Sequence, residues 1–201
     1  MNKKTFVIAE IGVNHNNDMG LAVELIKKAK EAGADAAKFQ TFKANSLVTK
    51  EADKADYQKQ FTPQDETHFE MIKNLELSEK NHSYLIESCK KNGIEFMSSA
   101  FDIESHNFLL SLGLNRLKIP SGEITNLPLL QVIGRENKKT ILSTGMSNLD
   151  EISKSVSVLK DSGLEKDNLT ILHCNTEYPT PMEDVNLNAM LTIKKEFNLE
   201  V

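Results

Sequence analysis

The residues with the clearest chemical potential stand together in the segment RLKIPSGE, residues 116–123. Lys118 lies between two apolar residues, which is typical of a strand, and Ser121 and Glu123 follow shortly after it. Gly122 allows the backbone to approach a ligand closely. An ammonium group beside hydroxyl and backbone donors is suited to a phosphate or a carboxylate. The same residues also fit an ordinary strand that ends in a turn, so the segment alone leaves both interpretations open.

The composition is that of a globular protein with one sizeable core. The 201 residues are 39% hydrophobic and carry a formal net charge of -5, which argues against nucleic acid or a membrane surface as a general partner. No apolar run reaches the roughly 18 residues of a membrane span. Glu10 interrupts the first apolar run too early for a signal peptide. Cys89 and Cys174 lack metal-ligand spacing, which predicts structural roles in a reducing, cytoplasmic environment.

Short apolar segments alternate with helical patterns along the chain. The predicted strands span residues 5–11, 36–42, 94–99, 114–119, 140–144 and 169–173. Helices are predicted to begin after Asp18, Ser78, Asp102, Asn126 and Ser147. This alternation favours an α/β fold with a parallel sheet, and about 30 residues per unit is typical of a (β/α)8 TIM barrel of about 250 residues. We expect residues 1–201 to form six of its units, as an incomplete barrel domain of a longer protein.

Other segments yield more local predictions. The polar connection over residues 43–77 is long enough for a lid, with a short helix after Thr62-Pro63. A last helix is predicted from an apolar stripe formed by Leu187, Met190, Leu191 and Phe197, and a further strand is predicted to begin near Val201.

The histidines have different expected roles. His68, His82 and His106 are expected at the surface of helices. His15 is as well suited to organising its loop as to catalysis. For His173 we favour a hydrogen-bonded position in the core over a role as a metal ligand.

Polar side chains recur where the predicted strands end, which is the functional end of a barrel. They are Glu10, Lys38, Gln40, Ser99, Lys118, Ser121, Glu123, Ser143, Thr144, His173 and Asn175. Lys38 and Gln40 share a face because they are two residues apart. We predict that Lys38 and Lys118, from two different strands, converge on one cavity and bind one small polyanion.

Five motifs, each at a predicted strand end, resemble those of the sialic acid synthase family. They are AEIGVNHNND at 9–18, KFQ at 38–40, KIPSGE at 118–123, LSTGM at 142–146 and LHCNTEYPTP at 172–181. The segments KADYQ at 54–58 and ITNLP at 124–128 are most similar to the bacterial branch that makes sialic or legionaminic acids.

The resemblance implies a (β/α)8 barrel followed by a small antifreeze-like domain, in a domain-swapped homodimer. It also implies the condensation of phosphoenolpyruvate with N-acetylmannosamine or a diacetamido analogue, which yields a nine-carbon 2-keto acid of the sialic type and phosphate. C3 of phosphoenolpyruvate attacks the sugar aldehyde, water adds at C2, and phosphate leaves by C–O cleavage. A divalent metal, usually Mn²⁺, would hold the aldehyde as a Lewis acid.

The resemblance also implies residue roles. Glu10 and Glu123 would be the catalytic carboxylates, as acid–base groups or as stabilisers of a cationic centre. The phosphate and carboxylate of phosphoenolpyruvate would be bound by Lys38, Lys118, Ser121 and Ser143. The remaining substrate contacts would come from Gln40, Ser99, Phe101, Asn175, Thr176 and Tyr178, of which Gln40 and Tyr178 would touch the sugar and Phe101 would wall the pocket.

The sequence departs from the family pattern in four places. Thr176 stands where the family has an asparagine, Ser99-Ala100-Phe101 replaces a Thr-Pro-Phe, and Asn17-Asp18 replaces a glycine. The metal-binding histidines of the family lie in Asp-His-Thr and His-Phe-Thr motifs of later strands, and neither motif occurs before Val201. We therefore expect the metal ligands to lie beyond Val201, none of them in this portion, and we expect no activity from it alone.

Two alternatives to the synthase stay open. Lys118, desolvated between Leu117 and Ile119, could be the Schiff-base nucleophile of a pyruvate aldolase. The chain could also be a non-catalytic module that binds a sugar or a phosphate. The sequence does not name the sugar.

Overall fold

The computed structural model describes residues 4–54 and 65–201. The strands are β1 (Ile8–Gly12), β2 (Ala36–Thr41), β3 (Glu95–Ala100), β4 (Arg116–Ile119), β5 (Lys139–Ser143) and β6 (Leu169–Leu172). The α-helices of the described residues are α1 (Met19–Glu31), α2 (Ala44–Leu47), α3 (His68–Asn74), α4 (Glu79–Lys91), α5 (Ile103–Ser111), α6 (Leu127–Arg135), α7 (Leu149–Asp161) and α8 (Ala189–Phe197). Short 3₁₀ turns span Ser121–Glu123, Lys166–Asn168 and Met182–Asp184.

The strands pair in parallel, and their order in the sheet follows their order in the chain. This confirms the predicted α/β fold with six parallel strands, while a closed (β/α)8 barrel stays a prediction. The chain divides into two compact units, residues 1–98 and residues 99–201, which are described separately below.

The end of the chain returns to the sheet beside β6. Glu200 forms a single parallel bridge with Thr170, and the backbone N–H of Ile171 donates to the Glu200 carbonyl oxygen at 2.9 Å. Val201, near which a further strand was expected, follows this bridge without belonging to a strand. Its side chain is partly buried against the apolar core of the second unit. The chain therefore pairs with β6 next to Val201, where a further strand is predicted to begin.

In the first unit, β2 separates an apolar layer from a polar one. Phe39 packs with Ile26 of α1 and Leu85 of α4 in one buried cluster. Because successive side chains of a strand point to opposite faces, Lys38 and Gln40 lie on the face away from these helices. The polar residues of β2 are thus separated from the helix layer by the strand itself.

The second unit repeats this arrangement in β4 and β5. Leu117, Ile119 and Leu142 belong to a buried cluster that includes residues of α6 and α7. Lys118 and Ser143 alternate with them and therefore lie on the opposite face of the sheet. The sequence of each strand thus places apolar residues against helices and polar residues on the other side.

Most of the predicted helix starts are confirmed. The side chains of Asp18, Ser78, Asp102 and Asn126 accept hydrogen bonds from backbone N–H groups of the first turns of α1, α4, α5 and α6. The prediction that Ser147 caps α7 is wrong, since Asn148 is the cap. Asn148 and Glu151 bond reciprocally to each other's backbone N–H groups, which satisfies two donors at once.

The surface positions predicted for two histidines are wrong, because His82 and His106 are buried. His82 lies between the Ser78 carbonyl, at 2.9 Å from Nδ1, and the Thr41 hydroxyl, at 2.8 Å from Nε2. The Thr41 hydroxyl in turn lies 2.7 Å from that of Ser98. This buried polar chain joins α4 to β2 and β3. His68 is half-buried.

The apolar stripe predicted around α8 is mostly not part of the core. Leu187 precedes the helix and is 65% exposed, and Leu191 is 67% exposed. Ile193 is instead the buried residue of α8. Hydrophobic periodicity here identified a helix but not the face that it buries.

The connection over residues 43–77 contains α2 and α3. Helix α3 is the short helix expected in this region, and it begins at a reciprocal cap between Thr67 and Glu70. Thr62 and Pro63, and residues 55–58 of the KADYQ segment, lie outside the described residues. Among the helices of the described ranges, none has both the length and the apolar character needed to cross a membrane.

Candidate active site

An ion pair joins the two predicted site residues that face each other in β1 and β2. Glu10 and Lys38 are register partners, and Lys38 Nζ lies 2.5 Å from Glu10 Oε2. The Lys38 side chain is only 8% exposed, whereas that of Glu10 is 51% exposed. The lysine is therefore held inside the unit, and its carboxylate partner remains accessible to solutes.

An irregularity in β1 brings a third predicted residue to this pair. The β1–β2 register shifts between Glu10 and Gly12, and Gly12 has a φ of +56°. A Cβ at Gly12 would lie 3.2 Å from Glu10 Oε1 and 3.6 Å from Gln40 Nε2. Glycine is favoured here by the left-handed backbone, and a side chain at this position would crowd the carboxylate of Glu10.

His15 organises the loop that follows β1. Its Nδ1 accepts a hydrogen bond of 3.0 Å from the backbone N–H of Asn17, and its ring centroid lies 5.8 Å from that of Phe39. Burial lowers the pKa of His15, an effect that the backbone of Gly12 opposes. A buried, neutral ring with these contacts favours the structural role over the catalytic one.

In the second unit, the ammonium group of Lys118 is buried and donates to two oxygens. Its Nζ lies 2.6 Å from Ser143 Oγ and 2.9 Å from the carbonyl oxygen of Ile119. These two contacts orient the ammonium group within the unit. An anion that reached this buried cation would gain a charge-assisted hydrogen bond in a site of low dielectric.

The turn after β4 is joined to the turn after β5 by a second hydroxyl group. Ser121 Oγ accepts a hydrogen bond of 2.9 Å from the backbone N–H of Gly145. A Cβ at Gly145 would lie 2.6 Å from Thr176 Cγ2 and 3.0 Å from Ser121 Oγ. Ser121 and Thr176, both predicted substrate contacts, are thus brought together around a glycine.

The carboxylate of Glu123 is oriented by the cap of α6. Asn126 Nδ2 donates to Glu123 Oε2 at 2.7 Å, while Asn126 Oδ1 accepts from the N–H of Leu129 at 3.3 Å. The amide that begins the helix therefore also fixes the predicted catalytic carboxylate. Glu123 itself lies in the 3₁₀ turn that follows β4.

The other predicted residues of this unit lie in more varied places. Ser99 is buried and is the register partner of Lys118, and Phe101 is half-buried just beyond β3. Asn175 donates through Nδ2 to the carbonyl oxygen of Asp184 at 3.2 Å. Tyr178 is 86% exposed, so its side chain does not form part of a packed site wall.

A cavity of about 660 Å³ lies between the loops that follow β5 and β6 and the first turns of α7 and α8. Its walls are rich in amide and hydroxyl groups, including Asn148, Asn175, Thr176, Asn186 and Asn188. The volume is within the range of about 300–1,000 Å³ typical of small-molecule sites. Such a lining is suited to a neutral ligand with many hydroxyl or amide groups.

The described residues do not fit a protein-bound metal ion. In residues 4–54 and 65–201 there is no group of three or more His, Cys, Asp or Glu side chains arranged to hold one. His173, for which a core position was favoured over a metal-ligand role, is a half-buried residue of the cavity wall. The resemblance places the metal ligands of the family beyond Val201, which itself packs against the apolar core. The position of those ligands stays a prediction.

The sequence interpretation missed four residues that shape these clusters: Gly12, Asn126, Gly145 and Cys174. Asn126 was recognised as a helix cap but not as a partner of Glu123, although the spacing of three residues places both on one turn. Gly12 and Gly145 lie inside the motifs at 9–18 and 142–146, and a glycine at a strand end could have predicted a close contact there. The contact between Cys174 and Ser143 joins the ends of two strands, and the sequence of neither strand alone predicts it.

These clusters lie in a chain that is similar to a known protein family. Residues 25–201 match the NeuB family. The chain belongs to the NeuB family. This confirms the resemblance to the sialic acid synthases on most of the chain, including four of the five motifs.

Curated relatives of this NeuB-family chain are named as synthases. It is 52% identical over 199 residues to an N,N'-diacetyllegionaminic acid synthase of Campylobacter jejuni, covering 99% of this chain and 60% of the relative. It is also 52% identical to the enzyme of the same name from Legionella pneumophila, covering 98% of this chain and 56% of the relative. The chain therefore spans somewhat more than half the length of these relatives.

A solved structure also matches. The N-acetylneuraminic acid synthetase of Leptospira borgpetersenii aligns with a TM-score of 0.82 and 32% sequence identity, covering 98% of this chain and 64% of that one. The NeuB-family chain thus shares the fold of a sialic acid synthetase over nearly its whole length.

Proposed function

We propose that the protein containing this NeuB-family chain condenses phosphoenolpyruvate with an N-acylated aminosugar. The products are a nine-carbon 2-keto acid of the sialic type and inorganic phosphate. The observation that carries the proposal is the buried ammonium group of Lys118, which lies 2.6 Å from the Ser143 hydroxyl. The names of the relatives with 52% identity support a synthase of this class.

Phosphoenolpyruvate suits the cluster around Lys118 because it has a phosphate and a carboxylate close together. A lysine ammonium and the hydroxyls of Ser121 and Ser143 offer N–H and O–H donors to such an anion. We assign the anion to these three residues, and we assign Lys38 to the same substrate as predicted from the sequence. The convergence of Lys38 and Lys118 on a single anion stays a prediction.

The carboxylates are assigned to the chemical step. When C3 of phosphoenolpyruvate forms a bond to the aldehyde carbon, C2 develops positive charge, which a nearby carboxylate stabilises. The C=O π bond of the aldehyde breaks as the new bond forms, and its oxygen takes up a proton to become a hydroxyl group. Water then adds its oxygen to C2 and gives one proton to a carboxylate. The new hydroxyl at C2 loses its second proton as the bond from C2 to the bridging oxygen breaks, which leaves a 2-keto group and inorganic phosphate. We propose Glu10 and Glu123 for these roles, since Lys38 and Asn126 hold them in defined orientations.

The cavity beside the β6 loop is the proposed site of the aminosugar. Its amide and hydroxyl groups are complementary to sugar hydroxyls and to acetamido groups. We favour a diacetamido sugar over N-acetylmannosamine, because the relatives with 52% identity make a diacetylated product. Gln40, Phe101 and Tyr178 remain proposed contacts of the same substrate.

Other features are proposed for the complete protein from the family resemblance. They are a requirement for Mn²⁺, an antifreeze-like domain, a domain-swapped homodimer and a cytoplasmic location. The metal would supply Lewis-acid chemistry at the sugar aldehyde. No step assigned to the residues above depends on it.

The test is phosphate release from phosphoenolpyruvate by the full-length protein with Mn²⁺ and each candidate sugar. We expect release that requires a sugar, and faster release with the diacetamido sugar. With ¹⁸O in the bridging position, the label is expected in the phosphate. Release without any sugar, or no release with either sugar, would contradict the proposed function.

A further inference from the structure

The hydroxyl oxygen of Ser143 receives two hydrogen bonds in a buried position. Lys118 Nζ donates to it at 2.6 Å, and the thiol of Cys174 donates to it at 3.4 Å. The Ser143 residue is only 5% exposed. Three side chains from three consecutive strand ends therefore meet at one oxygen atom.

These two bonds determine where the hydroxyl hydrogen of Ser143 can point. A hydroxyl group has two acceptor lone pairs and one O–H donor. With an ammonium and a thiol on the lone pairs, the hydrogen takes the one remaining direction. With the thiol as the donor, the described residues supply no acceptor for this hydroxyl hydrogen, and a buried donor without an acceptor is costly. An acceptor supplied by a ligand resolves that cost.

The sheet register explains how Cys174 reaches Ser143. Ser143 of β5 is the register partner of Leu172 of β6, and Cys174 lies two residues beyond Leu172, just past the end of β6. The thiol also lies 3.7 Å from the carbonyl oxygen of Leu172, the longer of its two contacts. The shorter contact, to Ser143, places Cys174 on the side of the oxygen that Lys118 does not occupy.

We propose that Cys174 is a positioning residue that, together with Lys118, directs the Ser143 hydroxyl hydrogen toward the phosphate or carboxylate of a bound anion. In its enzymatic form this inference rests on the proposed function, with phosphoenolpyruvate as the anion. Cys174 itself does not touch the anion. By occupying one lone pair of Ser143 Oγ, the thiol removes the orientations in which the hydroxyl hydrogen would point toward Cys174 instead of toward the anion.

The test compares Cys174→Ala with Cys174→Ser in the full-length protein. Losing one hydrogen bond in the ground state is expected to raise the KM for phosphoenolpyruvate about two- to tenfold with kcat nearly unchanged. Serine restores a donor, so Cys174→Ser is expected to stay within about twofold of the wild type. Cys89→Ala is the matched control, since that thiol is buried in the core of the first unit, and its KM is expected to be unchanged.

Two further measurements do not depend on catalysis. The dissociation constant of inorganic phosphate, measured by calorimetry, is expected to rise by a similar factor in Cys174→Ala only. The infrared S–H stretching band of Cys174 is identified as the band that is missing in Cys174→Ala. In Ser143→Ala this band is expected to shift to higher frequency, because the thiol loses the acceptor of its hydrogen bond.

The outcomes separate this inference from the proposed function. If the wild-type protein fails to condense phosphoenolpyruvate, the phosphate and infrared measurements still test the role of Cys174. The inference is overturned if Cys174→Ala binds phosphate as tightly as the wild type. It is also overturned if Cys174→Ser is as impaired as Cys174→Ala, because packing rather than the donor would then be responsible.

Discussion

Lys38 and Glu10 form an ion pair of 2.5 Å in which the lysine is buried and the carboxylate is half exposed. The asymmetry has a chemical consequence. The buried partner is fixed by its surroundings, and it holds the exposed partner at one position on the surface of the first unit. A carboxylate that is both oriented and accessible is suited to acid–base chemistry on a substrate.

Replacing Glu10 by Gln therefore tests its proposed catalytic role. We expect kcat of the full-length protein to fall about 100-fold or more, because the amide can neither take up a proton nor stabilise positive charge. Steady-state phosphate release measures this. Glu31→Gln is the matched control, since it removes an exposed ion pair with Lys28 and is expected to leave kcat unchanged. A Glu10→Gln variant with nearly normal kcat would exclude a catalytic role.

The close packing around Gly145 leads to a second prediction. Gly145→Ala places a Cβ 2.6 Å from Thr176 Cγ2, so we expect a loss of about 1–3 kcal/mol in the free energy of unfolding and weaker binding of phosphoenolpyruvate. Urea denaturation and KM measure the two effects. Gly122→Ala is the control for the stability measurement alone, because a Cβ there meets no atom within 4 Å. Equal stability of both variants would show that the β5 and β6 loops are not tightly packed here.

Three buried histidines predict a loss of stability in mild acid. Burial lowers the pKa of His15, His82 and His106 from the ordinary value of 6.5. The unfolded chain therefore takes up protons at a higher pH than the folded one, so stability is greatest above about pH 6.5 and falls as the pH drops toward the lowered values. We expect a lower urea midpoint at pH 5.5 than at pH 7.5.

His106 provides the control for this pH dependence. Its Nε2 is buried without a hydrogen-bond partner among the described residues, so His106→Leu loses no hydrogen bond at that atom. We expect the variant to show a weaker dependence of the urea midpoint on pH than the wild type. Equal midpoints of the wild type at pH 5.5 and 7.5 would contradict the prediction.

The rival chemistry at Lys118 can be tested by trapping. A Schiff-base aldolase forms a pyruvyl imine on its lysine, which borohydride reduces to a stable adduct. We expect no adduct on the peptide containing Lys118 after treatment with pyruvate and borohydride, because its Nζ is engaged by Ser143 and Ile119 as an ammonium donor. Mass spectrometry of the digested protein measures this, and a pyruvate aldolase treated in parallel is the positive control. A reduced adduct on Lys118 would favour the aldolase.

Local signals predicted the fold well. Caps such as Asp18 and Asn126 act within one helical turn, so a few adjacent residues determine them. The prediction that Ser147 is the cap was wrong because two candidate caps are adjacent in the sequence. Of the two, only Asn148 has a glutamate three residues later, which completes the reciprocal pair. Strand positions were predictable to within a few residues, since apolar alternation is a property of each segment alone.

Contacts between segments were harder to predict. His82 was assigned to the surface because of its polarity, although it is spaced three and seven residues from Leu85 and Cys89 on the buried face of α4. The hydrogen-bond partner Thr41 lies 41 residues from His82 in the sequence. The local sequence therefore did not predict the polar chain that satisfies the buried ring of His82. The meeting of Lys118, Ser143 and Cys174 likewise depends on the register of three strands.

The central claim is that the buried ammonium group of Lys118 binds the anionic substrate. Lys118→Met retains the apolar stem and removes the charge, and Lys139→Ala, at the exposed start of β5, is the control. Isothermal titration of the full-length protein with phosphoenolpyruvate is the most direct measurement. We expect Lys118→Met to weaken binding about 10- to 100-fold, the amount for a hydrogen bond to a charged group, and Lys139→Ala to leave it unchanged. Wild-type affinity in Lys118→Met would contradict the account.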